Sequence, residues 1–240
     1  WLTPPYKSPH HSSSAVALVG GGQKVKPGQI SLAHRGILFL DELTEFNRAT
    51  LENLREPLET GEIHIARARY DLCFPAAFQL IAAMNPCPCG NDGHPQQACR
   101  CAPDQIRRYL QKLSQPFLDR IDMHLNIPWL TPEQMQQTDT LSHAARLTQI
   151  NTWQQIQIDR QDCLNAKLSG KQIERYCALT EPGHELLQNA CQKLGLSIRS
   201  QHKIKRLART LADSESIKDV NISHLQSALS YRCRLFDHYR

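Results

Sequence analysis

Two carboxylates stand where a short apolar run ends: GILFL at 36–40 is followed at once by Asp41 and Glu42. A run of that kind reads as a buried parallel strand. An open parallel sheet gathers its ligand site beyond the carboxyl ends of its strands. Asp41 would then offer oxygen to a hard cation such as magnesium, and Glu42 would polarise a water aimed at a terminal phosphate. Phosphoryl transfer asks a protein mainly for positioning and charge stabilisation, so one metal-side and one water-side carboxylate is the expected division. Taken alone, the pair equally suits a cap on the helix that follows, where acidic groups meet the positive end of the dipole.

Cysteine supplies the second candidate chemistry. Four of the nine cysteines form two tight pairs, Cys87-Pro88-Cys89 and Cys99-Arg100-Cys101. Four thiolates can ligate one zinc ion tetrahedrally, although this spacing is tighter than the commoner two-residue gap. Free thiols and redox-active thiols are the rival readings, and a reducing setting disfavours disulfides. His94 in the same stretch is a substitute ligand. Cys73, Cys163, Cys177, Cys191 and Cys233 sit singly and read as small buried hydrophobes. Arg67 and Arg69 lie near the turn of a candidate hairpin over 62–74. An exposed basic turn is what the residues support by themselves; contact with a phosphate backbone is the sharper reading.

These groups need elements to position them. Residues 1–14 are rich in Pro, Ser and His and read as irregular, and Gly20, Gly21 and Gly22 mark a turn or a close backbone approach. Leu51, Leu54 and Leu58 predict a helix from about Asn47 that Gly61 ends. Ile63 and Ile65, then Tyr70, Leu72 and Phe74, alternate as the two strands of the hairpin. FQLIAAM at 78–84 is a second buried strand, stopped by Asn85-Pro86, and 87–103 is irregular. A helix near 104–113 follows. Ile121, Met123, Leu125 and Ile127 then alternate as a half-buried strand. Pro128 and Pro132 mark the boundary between a first domain, 1–128, and a second, 129–240. Beyond it the pattern is helical at 140–163, 170–178, 182–194, 197–213 and 223–236, with Ser223 and Gln226 as a capping box. Strands with crossover helices, then helices alone, define an α/β core with a helical lid.

Composition bounds the function classes. With 40% hydrophobic and 21% charged residues, the 240-residue chain suits a globular protein. No apolar run approaches the roughly 18 residues that a membrane span needs. No secretory leader opens the sequence, so no membrane association and a cytoplasmic location are expected. The formal charge of +5 is concentrated at one end. Residues 1–198 hold nineteen basic and nineteen acidic side chains, whereas 199–240 hold nine and four. That excess is either a solvated basic helix face or a contact for phosphate.

SPHHSSSAVALVGGG, PGQISLAHRGILFLDEL, LREPLETGEIHIARAR, FQLIAAMNPCPCG, PFLDRIDMHLNIP and SIRSQHKIKRLARTLAD together resemble the magnesium-chelatase-related AAA+ ATPases of the ComM/YifB type. The resemblance runs over essentially the whole chain, with several long motifs in the family's order. It implies a partial AAA+ core, a P-loop NTPase sheet truncated at its N-terminus, followed by the lid. It implies ATP and magnesium as cofactors, with Asp41 and Glu42 as the Walker B pair and Asn85 as sensor 1. Arg120 matches an arginine finger offered to a neighbouring subunit, and Arg199 matches sensor 2. Lys203, Arg206 and Arg209 would serve lid packing or a subunit interface. Ordinary alternatives stand beside these: Asn85 as a strand-ending turn residue, Arg120 as a partner of Asp119 or Asp122.

The same resemblance implies a homo-oligomer, a hexameric ring, with Arg67 and Arg69 facing a central pore. The substrate it implies is single-stranded or branched DNA, in branch migration by a helicase during natural transformation. A chelatase-like motor acting on a protein or metal-insertion partner is the first alternative; a non-catalytic remnant is the second. One departure matters. The G-x-x-x-x-G-K-[ST] loop that the family places ahead of these motifs occurs nowhere in the 240 residues. GGGQK at 20–24 lacks its spacing and its hydroxyl. The chain by itself is therefore expected to bind ATP weakly and to hydrolyse it negligibly.

Overall fold

The computed structural model describes residues 3–22, 25–67, 70–136 and 141–232. They fall into two compact units that divide between Ile121 and Asp122.

In the first unit, β1 (Tyr6–Lys7) leads to a short helix α1 (Ala15–Val19), capped by the Ser14 hydroxyl, which accepts from the Ala17 amide. Two glycines then form β2 (Gly20–Gly21), antiparallel to β3 (Lys26–Pro27). The helical turn α2 (Gln29–Leu32) precedes β4 (Ile37–Leu40). All four residues of β4 are apolar, and Leu38 and Leu40 are fully buried. Gly36 sits so close to β1 that an added Cβ would lie 1.9 Å from the Pro5 carbonyl oxygen. Only glycine lets the two strands meet there.

The chain continues through a 3-10 turn, Leu43–Glu45, to α3 (Arg48–Glu52) and α4 (Pro57–Thr60). One helix was expected over this stretch. Pro57 has no amide to donate back into the preceding turn, so it starts a new helix instead. Gly61 closes α4 in the left-handed conformation, φ 75°. The hairpin then forms as predicted, β5 (Glu62–Arg67) against β6 (Tyr70–Pro75), in the register Ile63↔Phe74 and His64↔Cys73. β7 (Gln79–Ala82) pairs with β4 in parallel, Leu40 opposite Ala82. The sheet order is β1-β4-β7, all parallel, which makes β4 central. Its core joins Leu38 and Leu40 to Ile30, Phe46, Leu51, Leu54, Ile63 and Phe117. α5 (Pro103–Leu110) and α6 (Gln115–Leu118) complete the unit.

Two expectations fail here. The opening is not wholly irregular, since Tyr6 and Lys7 add a strand to the sheet. Conversely, 121–127 is not a strand. Leu125 and Ile127 are well exposed, and among the described residues no ladder partner accompanies them. A period-two pattern cannot supply the neighbouring N–H and C=O groups that a strand requires.

The second unit holds α7 (Pro132–Met135), α8 (His143–Gln161), α9 (Lys171–Tyr176), α10 (Glu181–Leu194), α11 (Ile198–Ser214) and α12 (Ile222–Ser230). Leu187, Ile204, Ala208, Ala212, Leu225 and Ala228 form its core. A polar knot ties α8 to α11. The buried Asp213 carboxylate accepts from Arg160, Arg209 and Asn165. Arg206 donates to the carbonyls of Ala166 and Leu168, and Lys203 pairs with Asp122 at 3.0 Å. Lys203, Arg206 and Arg209 thus serve packing within the unit. The expected capping box at Ser223 moves two residues back. Asn221 caps α12 by accepting from the His224 amide, and His224 Nδ1 accepts from the Asn221 amide. No helix among the described residues is long and apolar enough to cross a membrane.

Candidate functional site

Asp41 and Glu42 emerge together from the carboxyl end of the central strand, both exposed. β7 runs parallel beside it, and its exit carries Asn85, also exposed. Main-chain bonds stitch the two exits: the Ala83 amide donates to the Leu40 carbonyl and the Leu43 amide to the Ala83 carbonyl, each 2.9 Å. The sheet therefore brings Asp41, Glu42 and Asn85 to one edge, where a parallel sheet presents its ligands.

The turn that carries the acids is locally organised. Asp41 Oδ1 accepts from the Glu42 amide at 2.9 Å. Glu42 adopts φ 51°, ψ 48°, a left-handed conformation that a non-glycine residue takes at a cost. It makes no side-chain capping bond to the 3-10 turn it precedes, so its carboxylate is left for other work. One partner was not foreseen. His11 Nδ1 lies 2.9 Å from Glu42 Oε2, its ring held edge-on to Phe46 and against His10.

The arginines are distributed differently. Arg120 follows α6 and its guanidinium is largely enclosed. It donates to Glu59 Oε2 at 2.9 Å and to the Pro116 carbonyl at 2.8 Å. Glu59, on α4, was not singled out in the sequence. Arg199 sits exposed in the first turn of α11, the helix that Ser197 caps. It belongs to the second unit, whereas the acids belong to the first. Arg67 ends β5, paired with Tyr70; Arg69 lies outside the described residues.

The cysteine pairs do converge. The ligand atoms of Cys87, Cys89, Cys99 and Cys101 all lie within 4.8 Å of one another. Cys87 and Cys89 Sγ are 3.4 Å apart, and each is 3.6 Å from Cys99 Sγ. Cys87 is buried against Ile106, Tyr109 and Leu110 of α5, which anchors the cluster to a helix. Backbone amides of Asn91 and then Arg100 point at Cys89 and lower its pKa to about 6, so one thiolate is already favoured. Against a lowering bond from the Cys101 backbone, desolvation and the neighbouring Cys89 and Cys87 push Cys99 up to about 12. Thiols sharing one site cannot all ionise without a cation among them. His94 does not join the cluster; its Nδ1 accepts from the amides of Gln96 and Gln97. This is a donor set capable of holding a metal ion.

A parallel sheet with an acidic pair at the end of its central strand, followed by a helical unit, is a partial AAA+ core with its lid. The sequence comparisons agree and narrow it. Residues 1–135 match the family model described as magnesium chelatase, subunit ChlI, and residues 140–232 match that of the ChlI C-terminal region. The chain belongs to this family. YifB of Salmonella typhimurium is 47% identical, and Competence protein ComM of Haemophilus influenzae 46%, each over 97% of this chain and 46% of the relative. Rv2897c of Mycobacterium tuberculosis is 40% identical over 95% of this chain and 46% of its own length. The chain thus spans about half the length of these relatives.

Proposed function

We propose that this chain carries the hydrolytic half of a magnesium-dependent AAA+ ATPase that works as a ring-shaped, hexameric motor on DNA in the cytoplasm. The observation that carries the ATPase reading is the meeting of Asp41, Glu42 and Asn85 at the carboxyl edge of adjacent parallel strands. Asp41, exposed and oxygen-bearing, suits magnesium. When bound, that ion neutralises charge on the terminal phosphates. Glu42 accepts a hydrogen bond from the attacking water and orients it, and His11 holds that carboxylate from the other side. The Asn85 amide donates to the water or the terminal phosphate. Arg120, steadied by Glu59, serves a neighbouring subunit, where a planar guanidinium suits the charge that develops during transfer. Arg199 reads the nucleotide from the lid. The four cysteines hold a structural zinc ion.

DNA is favoured as substrate by the similarity to Competence protein ComM and by the basic residues Arg67 and Arg69 in the hairpin's sequence. The family description, magnesium chelatase, supports a second reading, a motor acting on a protein or metal-insertion partner. ATPase activity of the protein at the length of its relatives separates them. Stimulation by single-stranded or branched DNA is expected, lost when Arg67 and Arg69 are replaced by alanine with assembly intact. DNA-independent turnover would overturn the nucleic-acid reading. Glu42→Gln should abolish turnover while leaving nucleotide binding, and full activity in that variant would overturn the assignment of the acidic pair. The 240-residue chain alone should turn over ATP negligibly.

A further inference from the structure

The hairpin has two faces with different chemistry. Ile63 and Ile65 turn inward to the core with Phe74 packed against them. The other face is exposed and carries Glu62, His64 and Cys73. Glu62 and His64 are two residues apart on β5, hence on one side of the strand. Cys73 stands directly opposite His64 in the ladder. The three ligand atoms form a triangle: Cys73 Sγ is 3.5 Å from Glu62 Oε2 and 4.0 Å from His64 Nε2, and the last two are 3.7 Å apart. A tetrahedral ion with zinc-like bond lengths needs edges of roughly 3.3–3.6 Å, so each side must close by less than about half an ångström.

We infer that Glu62, His64 and Cys73 form a second metal site, for zinc or a cation of similar softness, with its fourth position open to solvent. One thiolate, one imidazole and one carboxylate are a borderline-soft set, which selects zinc over magnesium or calcium. The backbone is organised in advance, because the apolar face of the hairpin is fixed in the core and the register places all three donors. Bound there, the ion staples β5 to β6 below the tip that carries Arg67. The site stands apart from the four-cysteine cluster and from the ATPase reading.

The test reads Cys73 itself. The purified protein, freed of metal by dialysis against chelator, is alkylated with iodoacetamide with and without micromolar zinc, and the peptide containing Cys73 is quantified by mass spectrometry. Zinc should slow its labelling by at least about tenfold in the unaltered protein and should not do so in His64→Ala or Glu62→Ala. Equal labelling with and without zinc, or undiminished protection in the two variants, would overturn the site. Zinc stoichiometry adds a second reading: Cys73→Ser should bind one equivalent fewer than the parent, and an unchanged number would also overturn it.

Discussion

Removing the metal expected at Cys87, Cys89, Cys99 and Cys101 should melt one segment and spare the rest. A tetrahedral zinc–thiolate site with bonds of about 2.3 Å has sulfur–sulfur edges of about 3.8 Å, and the three distances seen are 3.4, 3.6 and 3.6 Å. Each sulfur needs to move outward by only a tenth or two of an ångström, by the same geometry. What the metal supplies is closure. Cys87 and Cys99 are 12 residues apart, and closing a loop of that length costs about 2 kcal/mol of chain entropy, or about thirtyfold in an opening constant. Metal–sulfur bonding adds to that floor, because binding energy at such sites is folding energy. Hydrogen exchange on the protein with and without a strong chelator is the assay. Amides of 88–101 should exchange about a thousandfold faster without metal. Amides of α5 should follow in part, since Cys87 packs on Ile106 and Leu110. Those of β4 and β7 should hold, because their core does not include the cysteines. Protection of 88–101 that is unchanged by chelation, with less than a tenth of an equivalent of zinc in protein purified without added metal, would refute the reasoning.

Four further outcomes are expected. Arg120→Ala should lower kcat of the assembled, full-length ATPase by about a thousandfold or more and leave ATP affinity nearly unchanged; a loss confined to KM would contradict a role in the transition state. His11→Ala should lower kcat severalfold with KM for ATP unchanged, as befits a residue that positions Glu42; a rise in KM at constant kcat would argue for ground-state binding instead. Asp213→Ala leaves Arg160 and the buried Arg209 without their shared acid and should cost about 3–5 kcal/mol in denaturant unfolding of the helical unit, where a loss below about 1 kcal/mol would show that the knot is dispensable. Burial pushes Cys177 up to about 11, against the pull of Arg209, Arg160 and Arg206. The folded state thus keeps a proton that the unfolded chain releases near 9, and stability should fall as pH rises between those values. Rapid alkylation of Cys177 in the native protein at pH 8 would show that it is not enclosed.

The parts of this molecule that were legible in sequence are those that depend on neighbours along the chain. GILFL is apolar without interruption, as a central strand requires when Leu38 and Leu40 are fully buried and Ile37 and Phe39 are half-buried. The hairpin alternates because one face, with Ile63 and Ile65, is buried in the core while the other meets water. The cysteine pairs were legible as a donor set, since spacing alone brings two thiols together twice. What escaped depends on partners far apart. Tyr6–Lys7 is too short to carry a pattern and exists as a strand only because Ile37 and Leu38 lie beside it. Arg120 finds Glu59 across 61 positions, and His11 finds Glu42 across two helices and three strands. The alternation at 121–127 misled for the opposite reason, promising a ladder that no described strand provides.

Asn85 is where the two chemistries of the first unit touch. β7 delivers it to the edge where Asp41 and Glu42 wait, and two residues later the chain enters the cysteine cluster at Cys87. The strand end is therefore held on both sides: by the ladder to β4 before it and by a fully buried thiol after it. Between those anchors lies Pro86, whose fixed φ removes one further degree of freedom. In the role proposed for Asn85, its amide would gain from such restraint, because catalysis of phosphoryl transfer rests on positioning. On the proposed reading, an ion held by the four cysteines would thus act on the acidic site through the backbone of three consecutive residues.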